Sequence, residues 1–98
     1  MTDNTLVIYG TVTINCETNY GEEVTIYNES GTKDFMEYTK SNGKYQIDCS
    51  GFDEGEVCFI NVRNKKIILK TDSTKTPYKI DIIINNNSEI TSELNVVV

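Results

Sequence analysis

The chain has 98 residues, of which 38% are hydrophobic and 24% charged, with a formal net charge of −6. That length supports one core, so residues 1–98 read as a single folded domain and not as a disordered tail. Lysine and arginine are scattered among a larger number of acidic residues, which excludes the concentrated basic face that nucleic acid requires. No apolar run approaches the roughly 18 to 20 residues of a membrane-spanning helix. The opening MTDNTLVIYG has neither the basic region nor the small-residue cleavage site of a signal peptide. Cytoplasmic synthesis is therefore expected, with the chain kept in the cytosol, incorporated into a virion or released by lysis, unless it is already a mature fragment.

Residues 5–16 alternate strictly between apolar and polar, the two-residue period of a half-buried strand. Leu6, Ile8, Val12 and Ile14 share one face; Tyr9, Thr11, Thr13 and Asn15 take the other. Gly10 interrupts the inward row, and a glycine inside a strand signals a bulge or the close approach of another backbone. Residues 17–23 (ETNYGEE) read as a polar turn, and residues 24–27 as a short strand with Val24 and Ile26 inward. Residues 28–34 form a loop in which Gly31 supplies positive φ.

The strongest local signal is TKSNGKYQIDC at residues 39–49. Asn-Gly between two alternating runs predicts a hairpin, because a type I′ turn needs positive φ at both central residues. With Asn42 and Gly43 at the turn, Ser41 faces Lys44, Lys40 faces Tyr45, Tyr38 faces Ile47 and Met36 faces Cys49. Met36, Tyr38, Tyr45, Ile47 and Cys49 then point inward, with Glu37, Thr39, Gln46 and Asp48 outward.

Residues 50–56 (SGFDEGE) have turn chemistry, and residues 57–63 alternate as a strand. Asn64-Lys65 can close a second hairpin onto residues 67–71, pairing Val62 with Ile67 and Ile60 with Leu69. That places Cys58, Ile60, Val62, Ile67 and Leu69 on one face, and Ile68 outside, opposite Asn61. Residues 71–77 are a polar connection holding the one proline. In residues 78–84, Tyr78, Ile80, Ile82 and Ile84 are in phase and Ile83 is not. Residues 85–88 turn, and residues 90–98 are β-prone, although no register joins them to the preceding strand with both apolar faces aligned. No window has the 3.6-residue period of a helix. Seven or eight short strands, with turns about every ten residues, predict an all-β sandwich; a closed barrel is the alternative.

Cys16, Cys49 and Cys58 are an odd number, so at most one intrachain disulfide can form. Their spacing fits no zinc site, and the chain has no histidine. Each lies in phase with apolar neighbours, which predicts reduced core thiols, with a Cys49–Cys58 or similar bridge as the alternative.

VIYGTVT at residues 7–13, GEEVTIYN at 21–28, TKSNGKYQI at 39–47 and GEVCFINVRN at 55–64 together resemble the carboxypeptidase regulatory-like domain family. The likeness covers roughly the first two-thirds of the chain. It implies an antiparallel immunoglobulin-like or prealbumin-like β-sandwich of Greek-key type. It also implies a non-catalytic module of the kind found as enzyme accessory domains, surface repeats, transporter parts and virus-particle decorations. Related surface modules carry a Lys–Asn isopeptide crosslink from a first-strand lysine, and residues 6–16 hold none.

No catalytic, cofactor-binding or metal-binding residue is expected. Without histidine there is no Ser-His or Cys-His pair. Glu22 with Glu23, and Asp53 with Glu54 and Glu56, lie in predicted turns and read as solvated carboxylates. The second cluster is also weighed as a calcium site, which needs six to eight oxygens. Tyr9 and Tyr27 on outward parity, and Tyr20 in a turn, are candidates for stacking on sugars or anchoring a protein, or they simply cover strand faces. Asn28-Glu29-Ser30 and Asn86-Asn87-Ser88 match the glycosylation sequon, a match without meaning unless the chain is exported. Val96, Val97 and Val98 are apolar on both parities, which suggests a final strand covered by a neighbouring subunit. The expected role is a non-enzymatic component of a larger assembly such as a virus particle, with a capsid or tail lattice, or a second copy, as partner. A carbohydrate- or cell-surface-binding module and an enzyme's accessory domain are the alternatives.

Overall fold

The computed structural model describes residues 5–85. Among them are nine strands and no helix: β1 (Thr5–Ile14), β2 (Glu17–Thr18), β3 (Glu23–Asn28), β4 (Asp34–Tyr38), β5 (Lys44–Ser50), β6 (Val57–Val62), β7 (Lys65–Lys70), β8 (Tyr78–Lys79) and β9 (Ile82–Ile84). They form two sheets packed face to face. One is built on β1, which pairs antiparallel with β5 and β2 and parallel with β8 and β9. The other runs β4-β3-β6-β7, antiparallel throughout. The all-β sandwich is thus observed, with a parallel seam between the first strand and the last described ones.

Between the sheets lies a single core. Ile8, Ile26, Ile60, Ile82, Val12, Val24, Val62, Cys49 and Cys58 are fully buried, supported by Leu6, Ile14, Tyr45, Ile47, Phe52, Ile80 and Ile84. Each large aliphatic side chain withdrawn from water this way is worth about 1.5–3 kcal/mol. The inward parity expected for β1, β3, β5 and β6 is observed. Gly10 is the close approach that its place in the strand predicts. A Cβ there would lie 1.9 Å from the Ile80 carbonyl oxygen. The stretch Ile80-Asp81 bows between β8 and β9 at this point; the Ile80 N–H donates to the Tyr9 carbonyl at 2.8 Å. The Tyr45 hydroxyl donates to the Ile80 carbonyl at 2.7 Å from inside the core.

The Asn42-Gly43 hairpin is not formed. β4 belongs to the second sheet and β5 to the first, so residues 39–43 arch between sheets. Only Gly43 of the pair has positive φ, +79°, and its N–H closes a turn on the Lys40 carbonyl at 2.8 Å. Thr39, expected outside, is buried: its hydroxyl donates to the Asn19 carbonyl at 2.6 Å and accepts the Glu22 N–H at 2.9 Å. That staple draws the chain to the β3 edge, where Phe35 pairs with Ile26 and turns inward. Met36 and Tyr38 consequently face solvent, 45% and 54% exposed, the reverse of the expectation. The type I′ geometry sits elsewhere, at Asn15 and Cys16, with φ of 53° and 69°. It ends β1 at Ile14, pairs Ile14 with Glu17, and places Cys16 in solvent.

The second hairpin exists, two residues out of the expected register. Val62 pairs with Lys65, Ile60 with Ile67 and Cys58 with Leu69, while Arg63 takes the positive φ of 55°. An even shift preserves every face, so Ile68 is still outside, opposite Phe59. Phe52, in the segment whose composition predicts a turn, is buried and meets the Phe35 ring at 6.2 Å. The expectations for residues 90–98, including the cover over Val96, Val97 and Val98, lie outside the described residues.

Candidate functional site: two unlike outer faces

Outward residues of the two sheets make different surfaces. On the first sheet Tyr9 stands between Gln46 of β5 and Lys79 of β8, and the next outward row sets Thr11 beside Lys44. With Lys40 from the arch, these residues line a concavity of about 340 Å³. A shallower trough of about 500 Å³ shares Lys40 and Gln46 with it and continues past Met36 to Glu37 and Asp48. The floor is rigid, because Gly10 beneath Tyr9 sits against the Ile80 backbone and Tyr45 clamps the same carbonyl. Asp81 accepts the Thr11 N–H at 3.0 Å and lies 3.9 Å from the Lys79 ammonium. Burial, with the Asp81 charge behind it, pushes the Tyr45 phenol well above its ordinary range, so this group is a fixed donor.

On the second sheet Asp34, Tyr27, Phe59 and Ile68 form one outward row, and Met36, Thr25, Asn61 and Lys66 the next. The Tyr27 and Phe59 rings lie 5.4 Å apart, and the Lys66 ammonium sits 5.1 Å above Phe59. Ile68 is 66% exposed. With Met36 and Tyr38 nearby, these rows hold an apolar and aromatic patch bordered by Asp34, Thr25, Asn61 and Lys66. Tyr27 is thus half-covered by Phe59, Tyr9 lines the concavity, and Tyr20 is exposed in its turn, apart from both.

The carboxylate pairs are not idle turns. Glu22 takes Arg63 in a two-point ion pair at 2.7 and 3.0 Å, which holds its carboxyl below the ordinary range and ties the β6–β7 turn to the start of β3. Glu56 accepts Lys33 Nζ at 2.8 Å, Asn28 Nδ2 at 3.0 Å and the Asp53 N–H at 2.8 Å. Those donors hold it at about 2, Lys33 contributing most. Glu54 accepts the Ser73 N–H at 3.0 Å instead. Glu54 and Glu56 thus serve different partners, Asp53 takes part through its backbone N–H and carbonyl, and no group of three metal-capable side chains occurs among the described residues. Asn28 of the first sequon is buried, its amide spent on Thr32, Glu56 and the Lys33 N–H. The second sequon lies outside the described residues. Cys49 and Cys58 are buried free thiols, pushed up to about 12 and about 11, chiefly by burial. Cys16, expected in the core, is a free thiol in solvent because the type I′ turn turns it out.

No family model and no curated protein matches the chain. Solved structures share its fold, two of them as follows. One is the dioxygenase domain of a dioxygenase and carbohydrate-binding protein fusion from the cellulolytic bacterium Streptomyces sp. SirexAA-E. It has 10% identity and a TM-score of 0.55, over 83% of this chain and 79% of that one. The other is the major pilin subunit of Bacillus cereus, with 13% identity and a TM-score of 0.56, over 84% of this chain. Only 30% of the pilin subunit is spanned by the match. The fold is an immunoglobulin-like β-sandwich. At such identities the likeness is one of architecture, and it transfers no activity.

Proposed function

We propose that the chain is a non-enzymatic interaction module, a divergent carboxypeptidase regulatory-like domain built into a larger assembly through the outer face of the β4-β3-β6-β7 sheet. The observation that carries this reading is the pair of outward rows containing Tyr27, Phe59, Met36 and the exposed Ile68. Aromatic and aliphatic side chains gathered on one sheet face suit a protein partner, where such residues supply most of the binding energy. The chemistry available elsewhere supports the same reading. The chain has no histidine, and its two most strongly held carboxylates, Glu22 and Glu56, are engaged in structural ion pairs. One of its structural neighbours is a pilin subunit. The particular assembly we favour is a virus particle, with this module as an accessory or decoration component. Density-gradient fractions from the native source, probed for the chain and imaged by electron microscopy, test it. Co-sedimentation at fixed stoichiometry with particles, lost in Ile68→Lys, is expected. A chain that stays at the top of the gradient overturns the assembly reading.

A further inference from the structure

Most cations of the described residues have a partner within the protein. Arg63 pairs with Glu22, Lys33 with Glu56, Lys75 with Asp72 and Lys79 with Asp81. Lys66 lies over Phe59, and Lys65 donates to the Ile83 carbonyl. Among the described residues, the ammonium groups of Lys40, Lys44 and Lys70 have no such partner, and two of these three line the Tyr9 concavity. In a chain with net charge −6, this is where cations of the described residues cluster without a carboxylate partner among those residues.

We propose that this concavity binds an acidic sugar, its ring stacked on Tyr9 and its anionic group held by Lys40 and Lys44. Aromatic rings offer a flat apolar surface to the C–H face of a pyranose. Ammonium groups beside the ring supply charge-assisted hydrogen bonds to a carboxylate or sulfate. The volume of about 340 Å³ falls at the small end of ligand pockets, roughly 300–1,000 Å³, which suits one ring held fully and its neighbours partly. The adjoining trough gives the glycan a direction. It leaves the lysines, passes Gln46 and reaches Glu37 and Asp48, which repel a second anionic group. The acidic residue therefore belongs at the lysine end, with neutral sugars running outward. A nucleic-acid strand, charged at every step, fits this polarity badly. The rigid floor at Gly10 and Tyr45 means little is lost in ordering the site.

The test is a glycan array presenting matched oligosaccharides ending in carboxylated, sulfated or neutral sugars, followed by calorimetric titration of the best ligand. Binding to acid-ended glycans is expected, and the array distinguishes carboxylate from sulfate. Affinity should fall about tenfold or more in the Lys40→Gln/Lys44→Gln double variant and in Tyr9→Ala, and should weaken as salt rises. Both lysines are exposed, so an unchanged melting temperature in the double variant separates lost binding from lost folding. Equal binding to neutral-ended glycans, equal binding to an oligonucleotide of similar charge, binding that survives the double variant, or no array binding at all overturns the proposal. Ile68→Lys should leave glycan affinity unchanged, so failure here is distinguishable from failure of the assembly reading.

Discussion

The two outer faces share one backbone chemistry and carry opposite surfaces. The face of the first sheet is concave, cationic and built around the single long strand β1, which collects neighbours in both directions. The face of the second sheet carries an apolar and aromatic patch and is built from antiparallel neighbours alone. Inward parity on both sheets is dictated by burial, so the core halves look alike, whereas outward positions are free to specialise. The faces also differ in how they are held. Beneath Tyr9 the support is steric, a backbone pressed against Gly10 and clamped by Tyr45. At the end of the second sheet it is electrostatic, with Glu56 gathering Lys33, Asn28 and the Asp53 N–H. Steric and electrostatic supports should therefore fail under different stresses.

The sharpest break in that comparison is Gly10→Ala. A Cβ placed 1.9 Å from the Ile80 oxygen has to push one backbone off another, because the two nearest atoms both belong to the Ile80 main chain. A loss of about 3 kcal/mol or more is expected, at the upper end of single substitutions, with the parallel seam to β8 and β9 opening first. Urea denaturation measures it. Tyr45→Phe, which strips only the hydroxyl from the same carbonyl, should cost about 1–2 kcal/mol. A Gly10→Ala protein as stable as the wild type would show that the face does not rest on this contact.

The electrostatic support should answer to pH where the steric one does not. Glu56 is held at about 2, against an ordinary 4.5, so its contribution is complete above about 4.5 and disappears as pH falls towards about 2. Glu56→Gln should accordingly be less stable than the wild type at neutral pH by about 1–2 kcal/mol, since Lys33 loses its partner. The gap should close between pH 4.5 and 2, where the wild-type carboxyl itself becomes neutral. Urea melts of both proteins across that range read it directly. Because Glu22 titrates in both, the difference between the curves belongs to Glu56. A gap independent of pH would mean that shape, not charge, holds this end.

Much of the fold was legible, for reasons that differ by residue. Alternation placed Leu6, Ile8, Val24, Ile26, Tyr45, Ile47, Cys49, Ile60 and Val62 in the core, because a slip by one would expose them all. Gly10 announced its contact by breaking the inward row. The arch at residues 39–43 was misread because Asn-Gly favours a hairpin locally, while the sheet assignment of β4 was settled by distant contacts: Thr39 to Asn19 and Glu22, Phe35 to Ile26 and Phe52. No local pattern reports those. Of the candidate sites, Tyr9 and Tyr27 were legible as outward residues. The gathering of Lys40, Lys44 and Lys79 around Tyr9 was not, since the residues come from an arch, a neighbouring strand and a parallel strand about 70 positions away. Glu56 was visible as a turn acid, but its role depends on Asn28 and Lys33, which only the packed sheets bring to it.

The smallest stability effect separates the faces most cleanly. Ile68 is 66% exposed, on the outward row opposite Phe59, so Ile68→Lys should shift stability by no more than about 0.5 kcal/mol. The Lys40→Gln/Lys44→Gln variant should be equally silent in a thermal melt. Their binding defects should nonetheless be opposite, with Ile68→Lys losing the assembly partner and keeping the acidic glycan, and the lysine variant doing the reverse. A melt in which Ile68→Lys falls by several degrees would place Ile68 in a packed contact that the isolated sandwich does not explain. Loss of both binding activities in either single-face variant would show that the faces are coupled through the core, and the division of labour between them would have to be abandoned.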